Sequence, residues 1–229
     1  MLDNPLKNIA IYGGNGFVGS HIAQSLVERG QHVTCVSRRG AVPTHLEQHP
    51  WAQKVTWLAG DAGAADPDLL SRQDAIITTV GAPPLPTFSK AAFDQSVYTN
   101  GQANRLLFEA AHIAGTQRAI LIGAKIPPFL QQPWFAYATG KKLAFDAALE
   151  FSTQSADNSA VVIQPGGIFG TRYTSNGTAI PLGTVMGPMA KLVPSQLVSV
   201  SRLADCAADA AMCLRAMETN FTVIAHTEI

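Results

Sequence analysis

The chain has 229 residues, of which 47% are hydrophobic and only 14% are charged. This composition excludes a disordered chain and a coiled coil, which both need many more charged residues. Sixteen basic and sixteen acidic residues give a net charge of zero. Nothing in this balance favours nucleic acid or an acidic membrane as a partner.

The cysteines and the apolar runs indicate the compartment. Cys35, Cys206 and Cys213 have neither the spacing of metal ligands nor that of a disulfide framework. The first apolar run is too short for a signal sequence. Two long uncharged stretches, residues 75–89 and 173–190, are interrupted by Pro and Gly and do not have the character of membrane spans. We therefore expect a reduced, cytoplasmic protein with no bound metal and no transmembrane segment.

Short β-type runs alternate with helical patterns between residues 8 and 163, as in βαβ units built on a parallel sheet. The predicted strands are residues 9–12, 32–37, 55–59, 75–80, 119–123 and 160–164, and the predicted helices are residues 20–29, 90–114, 135–153 and 202–217. After Gln164 the sequence becomes rich in Gly, Pro and Thr. We predict a doubly wound parallel-sheet α/β domain over residues 1–164. A small C-terminal substrate lobe, residues 165–229, packs on it as part of one structural unit.

A glycine motif directly follows the first predicted strand and reads Gly-Gly-Asn-Gly-Phe-Val-Gly from Gly13 to Gly19. It fits both Gly-x-Gly-x-x-Gly and Gly-x-x-Gly-x-x-Gly. A strand that turns sharply into a helix beside a pyrophosphate needs residues without Cβ at these spacings. The freed N–H groups and the helix dipole then hold the phosphates. The motif predicts a dinucleotide site; the alternative is a glycine-rich turn without a ligand.

The end of the second predicted strand indicates which dinucleotide binds. A site for NAD carries an acidic residue there, about 20 residues after the motif, to bond the ribose hydroxyls. Here the sequence is Ser37-Arg38-Arg39. A hydroxyl and two guanidinium groups suit a 2′-phosphate, so we predict that NADP(H) is preferred over NAD(H). The alternative is a pair of solvated arginines. Further on, Asp61 suits either a bond to the adenine amine or the capping of its own turn.

Other landmarks follow in order. Val80-Gly81-Ala82 ends the fourth predicted strand, Asn100 lies in the long predicted helix, and Tyr137 and Lys141 form a Tyr-x-x-x-Lys motif. A Pro-Gly-Gly turn begins at Pro165. Together with the glycine motif, they make residues 8–212 resemble the extended and atypical short-chain dehydrogenase/reductase superfamily, whose fold is a Rossmann domain. The glycine motif resembles most an atypical branch that includes components of coenzyme Q and respiratory complexes.

The resemblance implies a set of site residues. Tyr137 would be the general acid/base, and Lys141 would bond the nicotinamide ribose and lower the pKa of the tyrosine. The cofactor contacts implied by the resemblance are Gly13, Asn15, Gly16, Phe17, Val18, Ser37, Arg38, Arg39, Asp61, Ala62, Val80, Gly81, Ala82, Asn100, Lys141, Pro165, Gly167 and Ile168. The chain departs from the family at Gly123 and Ala124, because neither supplies the usual Ser or Thr hydroxyl.

Two functions follow from these residues. The retained Tyr137 and Lys141 favour an NADP(H)-dependent oxidoreductase or epimerase-type enzyme for a small, partly apolar carbonyl or alcohol that the sequence does not identify. The missing hydroxyl favours a catalytically weak NADP(H)-binding structural or assembly factor, linked to quinone biosynthesis or a respiratory complex. A third alternative, an NADP(H)-sensing regulator, has only the fold in its favour. We expect either a homodimer or membership of a membrane-associated complex.

Overall fold

One parallel sheet of seven strands organises the computed structural model, which describes residues 7–173, 178–181, 196–213 and 219–229. The strands in chain order are β1 (Asn8–Tyr12), β2 (His32–Ser37), β3 (Thr56–Ala59), β4 (Ala75–Thr78), β5 (Arg118–Ile122), β6 (Ser159–Gln164), β7 (Gly167–Phe169), β8 (Thr171–Tyr173), β9 (Ala179–Pro181), β10 (Leu197–Ser199) and β11 (Phe221–Ala225). Across the large sheet the order is β11-β6-β5-β4-β1-β2-β3, and all neighbouring pairs are parallel.

Helices cover both faces of this sheet. They are α1 (Phe17–Glu28), α2 (Pro67–Leu70), α3 (Lys90–Val97), α4 (Ala103–Ala114), α5 (Ala136–Thr153) and α6 (Val200–Ala211). Apolar residues of α1 and α6 fill the core on one face, and those of α2, α4 and α5 fill the core on the other. Because both faces are covered, central strands such as β4 are buried at every residue and form continuous apolar runs in the sequence.

The predicted doubly wound α/β fold is confirmed. Strands β3, β2, β1, β4, β5 and β6 lie side by side in the order of a Rossmann sheet. Successive strands are added toward one edge from β1 to β3 and toward the other edge from β4 onward, so the strand order reverses between β1 and β4. Ligands of such sheets bind outside the carboxyl ends of the strands at this reversal. All six predicted strands are present, with ends displaced by at most two residues. The fold therefore places the glycine motif after β1 and the Val80-Gly81-Ala82 segment after β4 on the two sides of one crevice.

The residues after Gln164 contribute to the main sheet. Strand β11 pairs in parallel with β6, and α6 packs beside α1. In the predicted C-terminal lobe, the structure also describes two small sheets, one formed by β7 and β10 and the other by β8 and β9. The domain boundary after Gln164 stays a prediction. The predicted strands did not include β11, whose pairing with β6 spans about sixty residues of sequence.

Three predicted helices differ from those observed. The helix predicted over residues 20–29 begins at Phe17, inside the glycine motif, and ends at Glu28. The single helix predicted over residues 90–114 consists of α3, a π-helical turn at Tyr98–Gln102, and α4, which ends at Gly115 with a φ of 84°. The helix predicted over residues 202–217 begins two residues earlier, because the Ser199 hydroxyl caps its first turn by accepting from the Arg202 amide. Its predicted end, residues 214–217, and most of the uncharged stretch 173–190 lie outside the described residues.

Candidate cofactor and active site

The glycine motif forms a turn that has no room for side chains. Gly13 has a φ of 83°, and its amide donates to the carbonyl of Val36 at 2.9 Å. A Cβ built on Gly19 would lie 2.3 Å from the carbonyl oxygen of Gly13, and one on Gly14 would lie 2.4 Å from Sγ of Cys35. Strand β1 and helix α1 therefore touch through bare backbone, as the motif predicts.

The N-terminus of α1 is available to an anion. Its N-cap is Gly16, which provides no side-chain cap, and its first turn contains no acidic residue. The first N–H groups of a helix have no partner within it, and the helix dipole makes this end positive. Asn15, Phe17 and Val18 line the turn and are partly buried. The cradle fits a dinucleotide pyrophosphate.

The predicted 2′-phosphate residues follow β2 in a second tight turn. The Ser37 carbonyl accepts from the amides of Gly40 at 3.1 Å and Gly60 at 3.0 Å, which brings this turn beside the end of β3. Arg38 and Arg39 are exposed, and neither makes an ion pair within the described chain. Both guanidinium groups are therefore available to an anionic ligand.

Asp61 caps its own turn in the structure. Its Oδ1 accepts from the Gly63 amide at 2.8 Å, and Ala62 is buried next to it. The carboxylate is exposed, so Oδ2 still has room for an adenine amine. Tyr98 also lies here, which no local sequence pattern indicates. A Cβ built on Gly63 would lie 2.2 Å from its hydroxyl oxygen, so the phenol crosses this turn.

Asn100 connects the segment after β4 to the long helical region. Its side chain is fully buried; Oδ1 accepts from the Ala82 amide at 3.0 Å, and Nδ2 donates to the Ser96 carbonyl at 3.0 Å. A Cβ built on Gly81 would lie 2.9 Å from that same Oδ1. Val80, Gly81 and Ala82 are thereby held at the crevice beside the glycine turn, where Thr79 Oγ1 donates to the Gly13 carbonyl at 3.1 Å.

A close crossing of two helices sets the position of Asn100. A Cβ built on Gly140 of α5 would lie 2.7 Å from Cβ of Asn100, and one on Gly101 would lie 2.7 Å from the carbonyl oxygen of Gly140. Sequence reasoning did not single out these two glycines. The available signal was a Gly inside each of two helical patterns, which costs helix stability and usually has a packing reason.

Tyr137 and Lys141 occupy the first turns of α5, above the end of β5. Lys141 Nζ donates to the carbonyl of Ile122 at 3.0 Å and lies 5.9 Å from the centroid of the Tyr137 ring. A Cβ built on Gly81 would be 3.5 Å from Nζ, so the ammonium group lies between the ends of β4 and β5. The structure brings the predicted catalytic pair together at the crevice.

The pKa of the tyrosine moves in the direction opposite to the expected one. Burial raises the pKa of Tyr137 to about 12 and lowers the pKa of Lys141 to about 8. Burial outweighs any lowering of the tyrosine pKa by Lys141, so that expectation stays a prediction. The physical reason is that the ammonium group bonds to a backbone carbonyl, whereas the Tyr137 hydroxyl has no hydrogen-bond partner among the described residues and is simply desolvated.

The Pro-Gly-Gly turn follows β6, which is the neighbour of β5 in the sheet. Pro165 is buried and its carbonyl accepts from the Lys125 amide at 2.7 Å; the Gly167 amide donates to the Gln196 carbonyl at 2.7 Å. Gly167 begins β7, and Ile168 packs against the core. The turn therefore joins the end of β6 to the loop after β5.

Comparison with protein families identifies the chain. Residues 9–185 match the model of the NAD dependent epimerase/dehydratase family, which is more than half of the chain, so the protein belongs to that family. Membership supports the binding of a nicotinamide dinucleotide and confirms the resemblance drawn from the motifs. In the described residues, no helix has the length and apolar character needed to cross a membrane.

Three relatives span a range of roles. The chain is 33% identical over 193 residues to an uncharacterised chloroplastic protein of Arabidopsis thaliana, covering 82% of this chain and 60% of that one. It is 34% identical over 80 residues to MIOREX complex component 2 of Saccharomyces cerevisiae, covering 33% and 29%. It is 30% identical over 127 residues to a 3-beta-hydroxysteroid dehydrogenase of Mycolicibacterium neoaurum, covering 52% and 32%. The chain thus spans less than two thirds of each relative.

Solved structures share the fold. MoeE5, determined in complex with UDP-glucuronic acid and NAD, superposes with a TM-score of 0.71 at 17% sequence identity, covering 95% of this chain and 75% of that one. At this level of identity the similarity concerns the fold alone.

Proposed function

We propose that the protein is an NADP(H)-dependent oxidoreductase or epimerase-type enzyme acting on a small, partly apolar carbonyl or alcohol. The observation that carries the proposal is the position of Lys141 and Tyr137. Lys141 lies between the ends of β4 and β5, and Tyr137 precedes it by one helical turn on the same face of α5. This arrangement supports a general acid at the crevice beside the glycine cradle.

The roles of the residues follow from their positions. When bound, the nicotinamide supplies or accepts the hydride. Tyr137 gives the proton to the substrate oxygen as hydride reaches the carbon, and takes it back in the reverse direction. Lys141 offers its remaining N–H donors to the ribose and holds positive charge near the phenol. Asn100 keeps the segment after β4 in place through the Ala82 amide.

The proposed preference for NADP(H) rests on the turn after β2. Arg38 and Arg39 are exposed and without ion pairs in the described chain, and no acidic residue stands between Ser37 and Gly40. Charge-assisted bonds to a 2′-phosphate are about twice as strong as neutral ones. The same two arginines give nothing comparable to the ribose hydroxyl of NAD(H).

An apolar wall supports the proposed substrate character. The Trp134 ring lies 6.0 Å from Phe135, and the Phe135 ring lies 6.0 Å from Tyr137, measured between centroids. Trp134 is 66% exposed, and Phe88 and Phe129 in the neighbouring loops are exposed as well. Over residues 79–89 and 123–135 the single charged residue is Lys125. These surroundings favour an uncharged, partly apolar substrate body.

Calorimetric titration with NADPH and NADH tests the cofactor part of the proposal. Wild-type protein should bind NADPH in the micromolar range and NADH at least about tenfold more weakly, the effect of one charge-assisted bond. The Arg38→Ala/Arg39→Ala variant should bind both with equal affinity. Arg105→Ala, which removes an exposed arginine on α4, is the matched control and should leave the preference unchanged. Equal affinities in the wild type would refute the preference, and no binding of either dinucleotide would refute the enzyme.

A second candidate function rests on Gly123 and Ala124, which leave the substrate oxygen without the usual hydroxyl donor. Loss of one such donor costs about 10²–10³ in rate in other enzymes. A catalytically weak NADP(H)-binding assembly component, in a membrane-associated complex or as a homodimer, is consistent with this loss and with a relative named as a complex component. Tyr137→Phe separates the two functions. An enzyme loses turnover and complementation of a deletion strain together, whereas an assembly component keeps complementation.

A further inference from the structure

The position of the missing hydroxyl has a polar neighbour on the next strand. Strands β5 and β6 pair in parallel up to Ile122 opposite Ile163, and the Gly123 amide continues the ladder by donating to the Ile163 carbonyl at 2.8 Å. The next position on β6 is Gln164. A Cβ built on Gly123 would lie 3.7 Å from Cγ of Gln164. The Gln164 side chain therefore borders the space where a serine at position 123 would stand.

Strand alternation directs this side chain toward α5. Leu121 and Val162 lie in the core that α4 and α5 cover, whereas Ile122 and Ile163 lie in the core on the other face. Successive residues of a strand face opposite sides, so Gly123 and Gln164 return to the α5 side. They do so at the carboxyl edge, where Lys141 bonds to Ile122 and Tyr137 precedes it by one turn.

The Gln164 amide is free to bind a ligand. The side chain is partly buried, and it makes no hydrogen bond within the part of the chain that the structure describes. A carboxamide offers two N–H donors. A polar group at such a position is normally satisfied by protein, water or ligand. Gln164 is thus available as a donor beside the position where Gly123 and Ala124 lack one.

We infer that Gln164 is a catalytic residue that donates a hydrogen bond to the substrate oxygen in place of the family's hydroxyl. The inference rests on the proposed function. As hydride adds to the carbonyl carbon, negative charge develops on the oxygen, and the oxygen then takes the Tyr137 proton to become an alcohol. The Gln164 N–H stabilises the negative charge on the oxygen until the proton arrives, which is the ordinary role of an oxyanion donor.

Two near-isosteric variants distinguish catalysis from packing. With NADPH and a reducible ketone, Gln164→Met should lower kcat at least about tenfold, since one donor is lost. Gln164→Glu should be slower still, because it places an ionised acceptor beside the developing negative charge. A packing role predicts the reverse order, since Glu keeps the shape and polarity of Gln. Dissociation constants for NADPH should stay within about twofold of the wild type in both variants.

A binding measurement tests, without turnover, whether Gln164 donates a hydrogen bond to the substrate oxygen. Isobutyramide presents a carbonyl oxygen that hydride does not reduce, so its binding to the protein–NADPH complex reports donors to that oxygen. The wild-type complex should bind it about fivefold to tenfold more tightly than Gln164→Met, the effect of one hydrogen bond. Equal affinity in the two proteins, or no binding to the wild-type complex, would overturn the role of Gln164. Failure to bind NADPH at all would instead refute the proposed function.

Discussion

Lys141 donates from Nζ to the backbone carbonyl of Ile122 at 3.0 Å, so the residue proposed to bind the cofactor also attaches α5 to the end of β5. This hydrogen bond fixes the first turns of α5, including Tyr137, at the carboxyl edge of the sheet. It leaves the phenol under the influence of burial, with its pKa raised to about 12. The proposed catalytic geometry therefore depends in part on a structural hydrogen bond.

Tyr137→Phe should abolish proton transfer while leaving the fold and the cofactor site intact. A positioned acid or base contributes about 10²–10⁴ to the rate, and we expect a loss of that size in carbonyl reduction. NADPH affinity, measured by calorimetry, should change by less than about twofold. Tyr173→Phe is the control, because Tyr173 lies in β8 and its ring stacks on His45 at 3.8 Å. Comparable turnover of Tyr137→Phe and wild type would rule out the acid role.

Lys141 should make the free energy of unfolding depend on pH. Its pKa falls from 10.5 in the unfolded chain to about 8 in the folded protein, because burial disfavours the ammonium form. Between these two pH values the unfolded state binds more protons, so the free energy of unfolding rises with pH. Two kinds of group act in the opposite direction. Burial raises the pKa of the Cys35 thiol above its ordinary value of 9.0, so this thiol lowers the free energy of unfolding as the pH passes about 9. Tyr12 and Tyr137, whose pKa values are raised to about 12, do the same only above about pH 10.

Urea denaturation at about pH 7.5 and about pH 9.5 checks this effect. The free energy of unfolding should increase across the interval in the wild type, because the effect of Lys141 exceeds the opposing effect of Cys35. Lys141→Met should show no increase, since only the opposing effect of the thiol is left. The interval ends below the ordinary pKa of a tyrosine side chain in water, so the phenols contribute little. An identical pH dependence in the two proteins would show that the lysine is solvated in solution.

Gly140→Ala should disturb Asn100 across the helix crossing. Its new Cβ would lie 2.7 Å from Cβ of Asn100, and overpacking of this kind costs about 1–3 kcal/mol of stability. Because Asn100 holds the Ala82 amide, NADPH affinity should fall as well.

Gly30→Ala is the matched control for this crossing. Gly30 has a φ of 79° and no atom within 4 Å of a built Cβ, so its replacement brings only backbone strain of about 1–2 kcal/mol. Calorimetry should show normal NADPH affinity for Gly30→Ala. If Gly140→Ala and Gly30→Ala lost equal NADPH affinity, the loss would come from lower stability of the protein and not from a displaced Asn100.

Tyr12→Phe should stabilise the protein. The Tyr12 ring is buried in the core beneath α2 and α4, and its hydroxyl has no hydrogen-bond partner among the described residues. A buried hydroxyl without a partner carries a desolvation penalty of about 1–3 kcal/mol. The midpoint of urea unfolding should therefore rise, whereas Tyr98→Phe, which alters an exposed phenol, should leave it unchanged. A lower midpoint for Tyr12→Phe would indicate that water satisfies the hydroxyl.

Local sequence patterns predicted much of the framework. The turn from Gly13 to Gly19 and the strands around it follow from backbone sterics and apolar runs, which depend on neighbours in sequence. The pairing of β11 with β6 does not, since Phe221–Ala225 is a short β-branched run whose partner lies far away in the chain. The π-helical turn at Tyr98–Gln102 was missed because the apolar periodicity continues on both sides of it.

The candidate site, like the fold, was predicted from the sequence only in part. Tyr137 and Lys141 were found because their spacing of four is visible on one helix. Gln164 was not found, because its relation to Gly123 exists only across two paired strands. Likewise, the raised pKa of Tyr137 comes from burial of its side chain, and the spacing of two residues on one helix contains no such information.

The pairing of β11 with β6 also bears on biosynthesis. Strand β6 is almost entirely apolar, and Ala160 through Ile163 are buried. Until Phe221–Ala225 leaves the ribosome, this strand presents an unpaired apolar edge, which is the kind of surface that recruits other chains into aggregates. Completion of this edge of the sheet therefore waits for a segment that is translated about sixty residues after β6.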